Sequence, residues 1–213
     1  AGALAPYNLK GAQLNWKKTL SPVTTQMWRS VGHSQNAFFV ESFVDEIAFK
    51  AGIDPMEFRE SRLPKSSKQL RVLQKVKEMS GWAKKKGKSM GVAAHFSYKS
   101  YAAAVIEVDN KDDLKVKNVW IALDCGTAIN PDGVHTQLIS SVIFGLSAAL
   151  FGKIEIEDSK VIQDNFDGYP LLTLSQSPEI HTEIIDSQER PTGAGEPGVP
   201  IIAPALCNAI FRE

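Results

Sequence analysis

Glu196 lies in the stretch Pro191-Thr192-Gly193-Ala194-Gly195-Glu196-Pro197-Gly198-Val199-Pro200, where it is the only ionisable side chain among three glycines and three prolines. Glycine lets the backbone take positive φ or approach a ligand closely, and proline fixes φ. A loop of this kind is restrained and free of bulky side chains. Two chemistries suit its carboxylate. One is a general base held over a reacting centre. The other is a plain structural acid ahead of the apolar helix expected over 201–211, favoured there by the helix dipole.

Two further polar residues stand at helix starts. Arg29, in Met27-Trp28-Arg29-Ser30-Val31-Gly32, precedes an amphipathic helix. It reads either as a surface charge or as a fork of donors beside an anion-binding helix start. Gln137 follows Asn130-Pro131-Asp132-Gly133, one turn into a long helix. Its amide can face water, or it can donate and accept at a ligand. Two cysteines are too few for a metal cage or a disulfide framework, and His33, His95, His135 and His181 lack metal-ligand spacing. No metal-ligating residue, iron–sulfur pattern or dinucleotide Gly-x-Gly-x-x-Gly is therefore expected on this chain.

These stretches, together with Glu41-Ser42-Phe43-Val44-Asp45-Glu46-Ile47-Ala48 and Asp124-Cys125-Gly126-Thr127-Ala128-Ile129, occur in an order that resembles the molybdenum hydroxylases of the xanthine dehydrogenase and aldehyde oxidase type. The isoquinoline 1-oxidoreductase branch, in its large (beta) subunit, is the most similar. The resemblance runs from about Trp28 to Phe211 and implies a C-terminal portion of such a subunit, since the family's Met-Gly-Gln-Gly segment is missing. It implies that Glu196 is the catalytic base, taking a proton while a water-derived oxygen is inserted beside a ring nitrogen or at an aldehyde carbon. Trp28 and Arg29 are implied to wrap the pterin, with Gln137 and Gly195 near molybdenum. Ser97 and Ser100, in His95-Phe96-Ser97-Tyr98-Lys99-Ser100-Tyr101, are implied to lie along the cofactor tail. Phe96 and Lys99 depart from the family's glutamate and glycine there, and as strand residues the two serines need no ligand. The implied cofactor is molybdenum-molybdopterin in its cytosine dinucleotide form. The implied partners are the remainder of the large subunit and a small subunit whose [2Fe–2S] clusters take the electrons. Two other readings compete: a structural piece that is inert and cofactor-free when alone, and a small independent binding module.

The elements that must position these residues are legible from periodicity. The 213 residues are 43% hydrophobic, with 24 basic and 24 acidic side chains. That supports a sizeable core and gives no electrostatic case for nucleic acid. Residues 1–27 lack periodicity and read as an irregular lead-in from a larger chain, with one possible strand over Tyr7–Trp16; residues 28–213 read as the molybdopterin-binding portion. Helices are expected over 36–51, 54–63, 66–80, 134–151 and 201–211, and strands over 90–98, 101–108, 114–123 and 179–185. Residues 109–112 are expected as a hairpin turn, Lys84–Lys88 as a solvated turn, and 153–165 as a second hairpin. The expected class is α+β, a mixed or antiparallel sheet with packed helices. The helix over 134–151 is expected to be largely buried, and no segment is expected to span a membrane.

Overall fold

A computed structural model describes residues 6–21, 23–85, 89–109 and 113–212. The chain forms α1 (Gly32–Lys50), α2 (Pro55–Ser61), α3 (Lys68–Ser80), α4 (Trp82–Lys85), β1 (Met90–Ser97), β2 (Ser100–Asp109), β3 (Lys115–Asp124), α5 (Pro131–Phe151), β4 (Ile156–Glu157), β5 (Lys160–Val161), a 3-10 turn at Leu174–Gln176, β6 (Glu179–Ile184) and α6 (Ile202–Phe211). The main sheet has the order β1-β2-β3-β6. Its first three strands are antiparallel and β6 joins β3 in parallel, so the sheet is mixed. β4 and β5 form a separate two-stranded ribbon, shorter than the expected second hairpin. The turns expected over 109–112 and 84–88 lie largely outside the described residues.

Alternation along the strands covers both faces of the sheet. Val92, Ala94, Ala103, Val105 and Ala122 face α1, α2 and α3, whereas Ala93, Ala102, Ala104, Ile121 and Leu123 face α5 and α6. Small residues dominate β1 and β2, which lets helices lie close. A Cβ on Gly91 would sit 2.1 Å from the Ala205 carbonyl oxygen of α6. Local signals explain several boundaries. The Asp54 side chain accepts from the Met56 and Glu57 amides to start α2, Ser67 caps α3, and Gly81 ends α3 in the left-handed region.

An internal ion cluster, unforeseen from sequence, ties α1 to α2 and β1. Arg59 donates to Glu41 at 3.0 Å and to Asp45 at 2.7 Å, while Glu41 also accepts from the Tyr7 hydroxyl at 2.9 Å and the Ala94 amide at 3.0 Å. Burial pushes the Glu41 and Asp45 carboxyls up, and Arg59 pulls both back. Burial alone would lower the Arg59 guanidinium, but the two carboxylates outweigh it and hold its pKa above the ordinary range.

Three expectations need correction. α1 begins at Gly32, four residues before the expected start, because Val31 rather than a polar side chain sits at its N-cap and Asn36 instead donates back to the Gly32 carbonyl. Tyr7–Trp16 forms no strand; Tyr7 is anchored by its hydroxyl while Leu14 and Trp16 stay exposed. α5 is not largely buried. Leu138, Ser141, Val142, Gly145, Leu146 and Ser147 pack inward, but Gln137, Ile139, Ser140 and Phe144 face outward. By length and composition alone α5 is also long and apolar enough to cross a membrane. Its inward face packs on α6 and the sheet in the same hydrophobic cluster, as the core helix of a folded domain does.

Candidate functional site

The site forms where the segment before α1, the first half of α5, the β1–β2 turn and the loop before α6 meet. Ser30 and Val31 both take positive φ, 72° and 48°. For a β-branched valine this is a true outlier, and such strain concentrates where surrounding structure imposes it. The twist aims Ser30 at the Glu196 loop. Its amide donates to Glu196 Oε1 at 3.1 Å, and its hydroxyl donates to the Glu196 carbonyl at 2.7 Å.

Glu196 therefore does not cap the helix that follows it. α6 starts at Ile202 with no side-chain cap and no acidic residue in its first turn. The carboxylate is half-buried, fixed by one backbone N–H, with its backbone pinned on the same residue.

Arg29 acts as a clamp. Its Nε donates to the Gly195 carbonyl at 2.9 Å, and a terminal nitrogen contacts the same oxygen. Its terminal nitrogens also donate to Ser140 Oγ at 3.0 Å, Gln137 Oε1 at 3.1 Å and Ser141 Oγ at 3.0 Å. Gln137, Ser140 and Ser141 share one face of α5 by their i, i+3, i+4 spacing, a signal the sequence held. Burial lowers the guanidinium from its ordinary value, and Glu196 raises it in part. Trp28 stacks on Phe144 at 4.8 Å between ring centroids, and the Arg29 guanidinium lies over the same Phe144 ring at 5.5 Å.

The two serines of the β1–β2 turn differ. Ser100 is buried and holds the loop: its hydroxyl donates to the Gly193 carbonyl at 2.5 Å and pairs with the Thr192 hydroxyl at 2.7 Å. Ser97 is equally buried, and its Oγ has no hydrogen-bond partner among the described residues. A buried hydroxyl without a partner is costly. Gln137, exposed, gives its carbonyl end to Arg29, which leaves its amide NH2 for a ligand. Around Gly195 there is room: a Cβ there would meet only Gln137, with Oε1 at 3.5 Å.

The sequence-predicted residues Trp28, Arg29, Gln137, Gly195 and Glu196 thus meet in one place, with Ser100 bracing the same loop. Ser30, Ser140 and Ser141 had not been singled out. Among the described residues no group of three or more His, Cys, Asp or Glu side chains could hold a metal ion.

A model of the molybdopterin cofactor-binding domain family matches residues 16–178. Among curated proteins, the chain is 31% identical over 99% of its length to the beta subunit of isoquinoline 1-oxidoreductase from Brevundimonas diminuta, and covers 28% of that protein. It is 30% identical over 98% of its length to a nicotinate dehydrogenase subunit from Pseudomonas putida, of which it covers 20%. Among solved structures, the aldehyde oxidoreductase from Desulfovibrio desulfuricans superposes with a TM-score of 0.73 at 13% identity, over 87% of this chain and 39% of that one. At that identity the match speaks for the fold alone.

Proposed function

Because the chain belongs to the molybdopterin cofactor-binding domain family, we propose that it forms one wall of the cofactor site in the large subunit of a molybdenum-dependent oxidoreductase, with Glu196 as the base. The observation that carries this reading is the double anchorage of Glu196 on Ser30, which leaves the carboxylate fixed and free of any capping role at α6.

The residues present fit the cofactor. The partnerless Ser97 hydroxyl, the Gln137 amide NH2 and the open space at Gly195 offer a polar group no competing protein partner. Gln137 would hold the end near the metal, Ser97 the tail, and Trp28 with Phe144 an apolar flank. When bound, the cofactor supplies a two-electron acceptor and the metal that activates water. The chain's own contribution is the base. Glu196 accepts the proton released as a water-derived oxygen is transferred to substrate, and a base held at reach contributes about 10²–10⁴-fold. Arg29 carries no ligand in this scheme: it holds the Gly195 carbonyl and the α5 face, which fixes where Glu196 stands.

An electron-poor carbon beside a ring nitrogen, or an aldehyde carbon, is the substrate class this reading implies; the names of the isoquinoline and nicotinate relatives support the first. Further partners are a small [2Fe–2S] subunit and the rest of the large subunit. The chain spans about a quarter of its curated relatives, and α5 exposes Ile139 and Phe144 beside Trp28, as a surface covered by more protein would. The cytosine dinucleotide form of the cofactor completes the proposal.

The test is Glu196→Gln in the complete assembled enzyme. The change keeps volume and removes the basic oxygen. Normal molybdenum content with turnover lowered at least ~10²-fold is the expected result. Wild-type turnover would overturn the assignment. Metal analysis of the 213-residue chain alone is expected to find no molybdenum, since it holds one wall of the pocket only.

A further inference from the structure

Two bonds run from one buried residue to the two ends of one glutamate. The Ser30 amide donates to Glu196 Oε1 at 3.1 Å, and the Ser30 hydroxyl donates to the Glu196 carbonyl at 2.7 Å. Held at the carboxylate alone, a glutamate can reach the same donor from several backbone positions, because its side chain is long and rich in rotamers. Held at the carbonyl alone, its carboxylate can swing. Bonding both ends to Ser30 closes a ring that admits few rotamers. The Glu196 backbone is restrained from the other direction too. Pro197 follows it and narrows its conformations, and the Val199 amide donates to the same Glu196 carbonyl at 3.1 Å.

Ser30 makes both bonds from φ 72°, a left-handed setting that disfavours residues other than glycine. Glycine would take this setting without strain, but glycine has no hydroxyl. Strain of this sort persists where neighbours impose it. Here the start of α1 does so. The Ser30 carbonyl accepts from the His33 amide at 3.0 Å, and the Val31 amide donates to the Trp28 carbonyl at 2.7 Å. The Ser34 hydroxyl donates to the Arg29 carbonyl at 3.0 Å. The His33 ring ties this turn to β1, with Nδ1 2.9 Å from His95 Nε2. Burial, with His33 beside it, lowers His95 to about 4, and burial lowers His33 too. Near pH 7 both rings are therefore neutral, and one donates to the other.

We propose that Ser30 is a positioning residue for Glu196: its hydroxyl fixes the backbone that carries the carboxylate, its amide fixes the carboxylate itself, and together they set where this base meets the substrate proton. This rests on the reading of Glu196 as the base. Ser30 is fully buried and touches no substrate, so losing its hydroxyl acts on kcat and leaves KM alone.

Ser30→Ala and Ser30→Gly in the complete enzyme test it. Both delete the hydroxyl and keep the amide. Glycine also relieves the left-handed strain, so the pair of variants separates the hydrogen bond from the backbone setting. The expected result in both is kcat lowered roughly 5–10-fold, the worth of one such bond, with KM and molybdenum content unchanged. Wild-type kcat in either variant would overturn the inference, as would a raised KM or a loss of molybdenum. Independently of turnover, hydrogen exchange over residues 193–200, read by mass spectrometry, is expected to quicken in both variants; unchanged exchange there also overturns the inference. If Glu196→Gln keeps turnover, the base assignment itself fails. If that variant is inactive while the Ser30 variants turn over normally, only the role of Ser30 fails.

Discussion

Ser30 and Glu196, 166 positions apart, hold each other through two hydrogen bonds, amide to carboxylate at 3.1 Å and hydroxyl to carbonyl at 2.7 Å. The pair joins the segment before the first helix to the loop before the last. It decides the meaning of Glu196. An acid that looks like a helix-start residue for α6 is bound instead at the approach to α1. Arg29, one residue earlier, repeats the join by holding the Gly195 carbonyl.

Arg29→Lys is expected to loosen this join. The guanidinium reaches the Gly195 carbonyl, Ser140, Ser141 and Gln137 at once, and a single ammonium cannot cover that spread. Stability should fall by roughly 1–3 kcal/mol and turnover of the complete enzyme by about tenfold. Thermal unfolding and steady-state rates on one preparation check both. Wild-type values in each would show that the clamp does not position the loop.

Gln137→Ala is expected to lower molybdenum occupancy of the complete enzyme while leaving the fold intact. The side chain is exposed and has one protein partner, Arg29, so a purely structural effect should stay within ~0.5 kcal/mol. Unchanged metal content, measured by mass spectrometry, would remove Gln137 from the site.

Arg59→Leu tests the ion cluster. It leaves Glu41 and Asp45 buried without their cation, a loss expected to be about 3–5 kcal/mol. That is a large part of ordinary domain stability. Urea unfolding of the variant is the measurement, and a loss under ~1 kcal/mol would mean that the carboxylates find other partners.

Acid should weaken the fold through His95. The folded imidazole titrates at about 4, below its ordinary 6.5, so between those values the unfolded chain binds the proton more readily. Stability contributed by keeping it neutral is complete above pH 6.5 and is lost as pH falls toward 4, a difference of roughly 3 kcal/mol. Glu41 and Asp45, with pKa values raised by burial, act in the opposite sense, so the comparison between wild type and His95→Gln at each pH isolates the imidazole. Parallel stability curves for the two proteins would contradict the assignment.

Most local elements, and five of the residues that gather at the site, were legible in the sequence. Helix caps at Asp54 and Ser67, the stop at Gly81 and the period-two strands are set by neighbours within a few residues, so periodicity and turn chemistry recover them. Motif order likewise marked Trp28, Arg29, Gln137, Gly195 and Glu196. What it left open depends on partners far along the chain. The start of α1 was misplaced because Ser30 and Val31 hold positive φ against a loop 166 residues away, where local capping rules have no view. The burial of α5 was overestimated because composition records how apolar a helix is, whereas its exposure depends on which neighbours the topology supplies. The Glu41–Asp45–Arg59 cluster had no local signal for the same reason: its cation lies on α2 and its carboxylates on α1. Only the tertiary structure, by bonding Ser30 to Glu196 across the fold, showed that this acid makes no cap on α6.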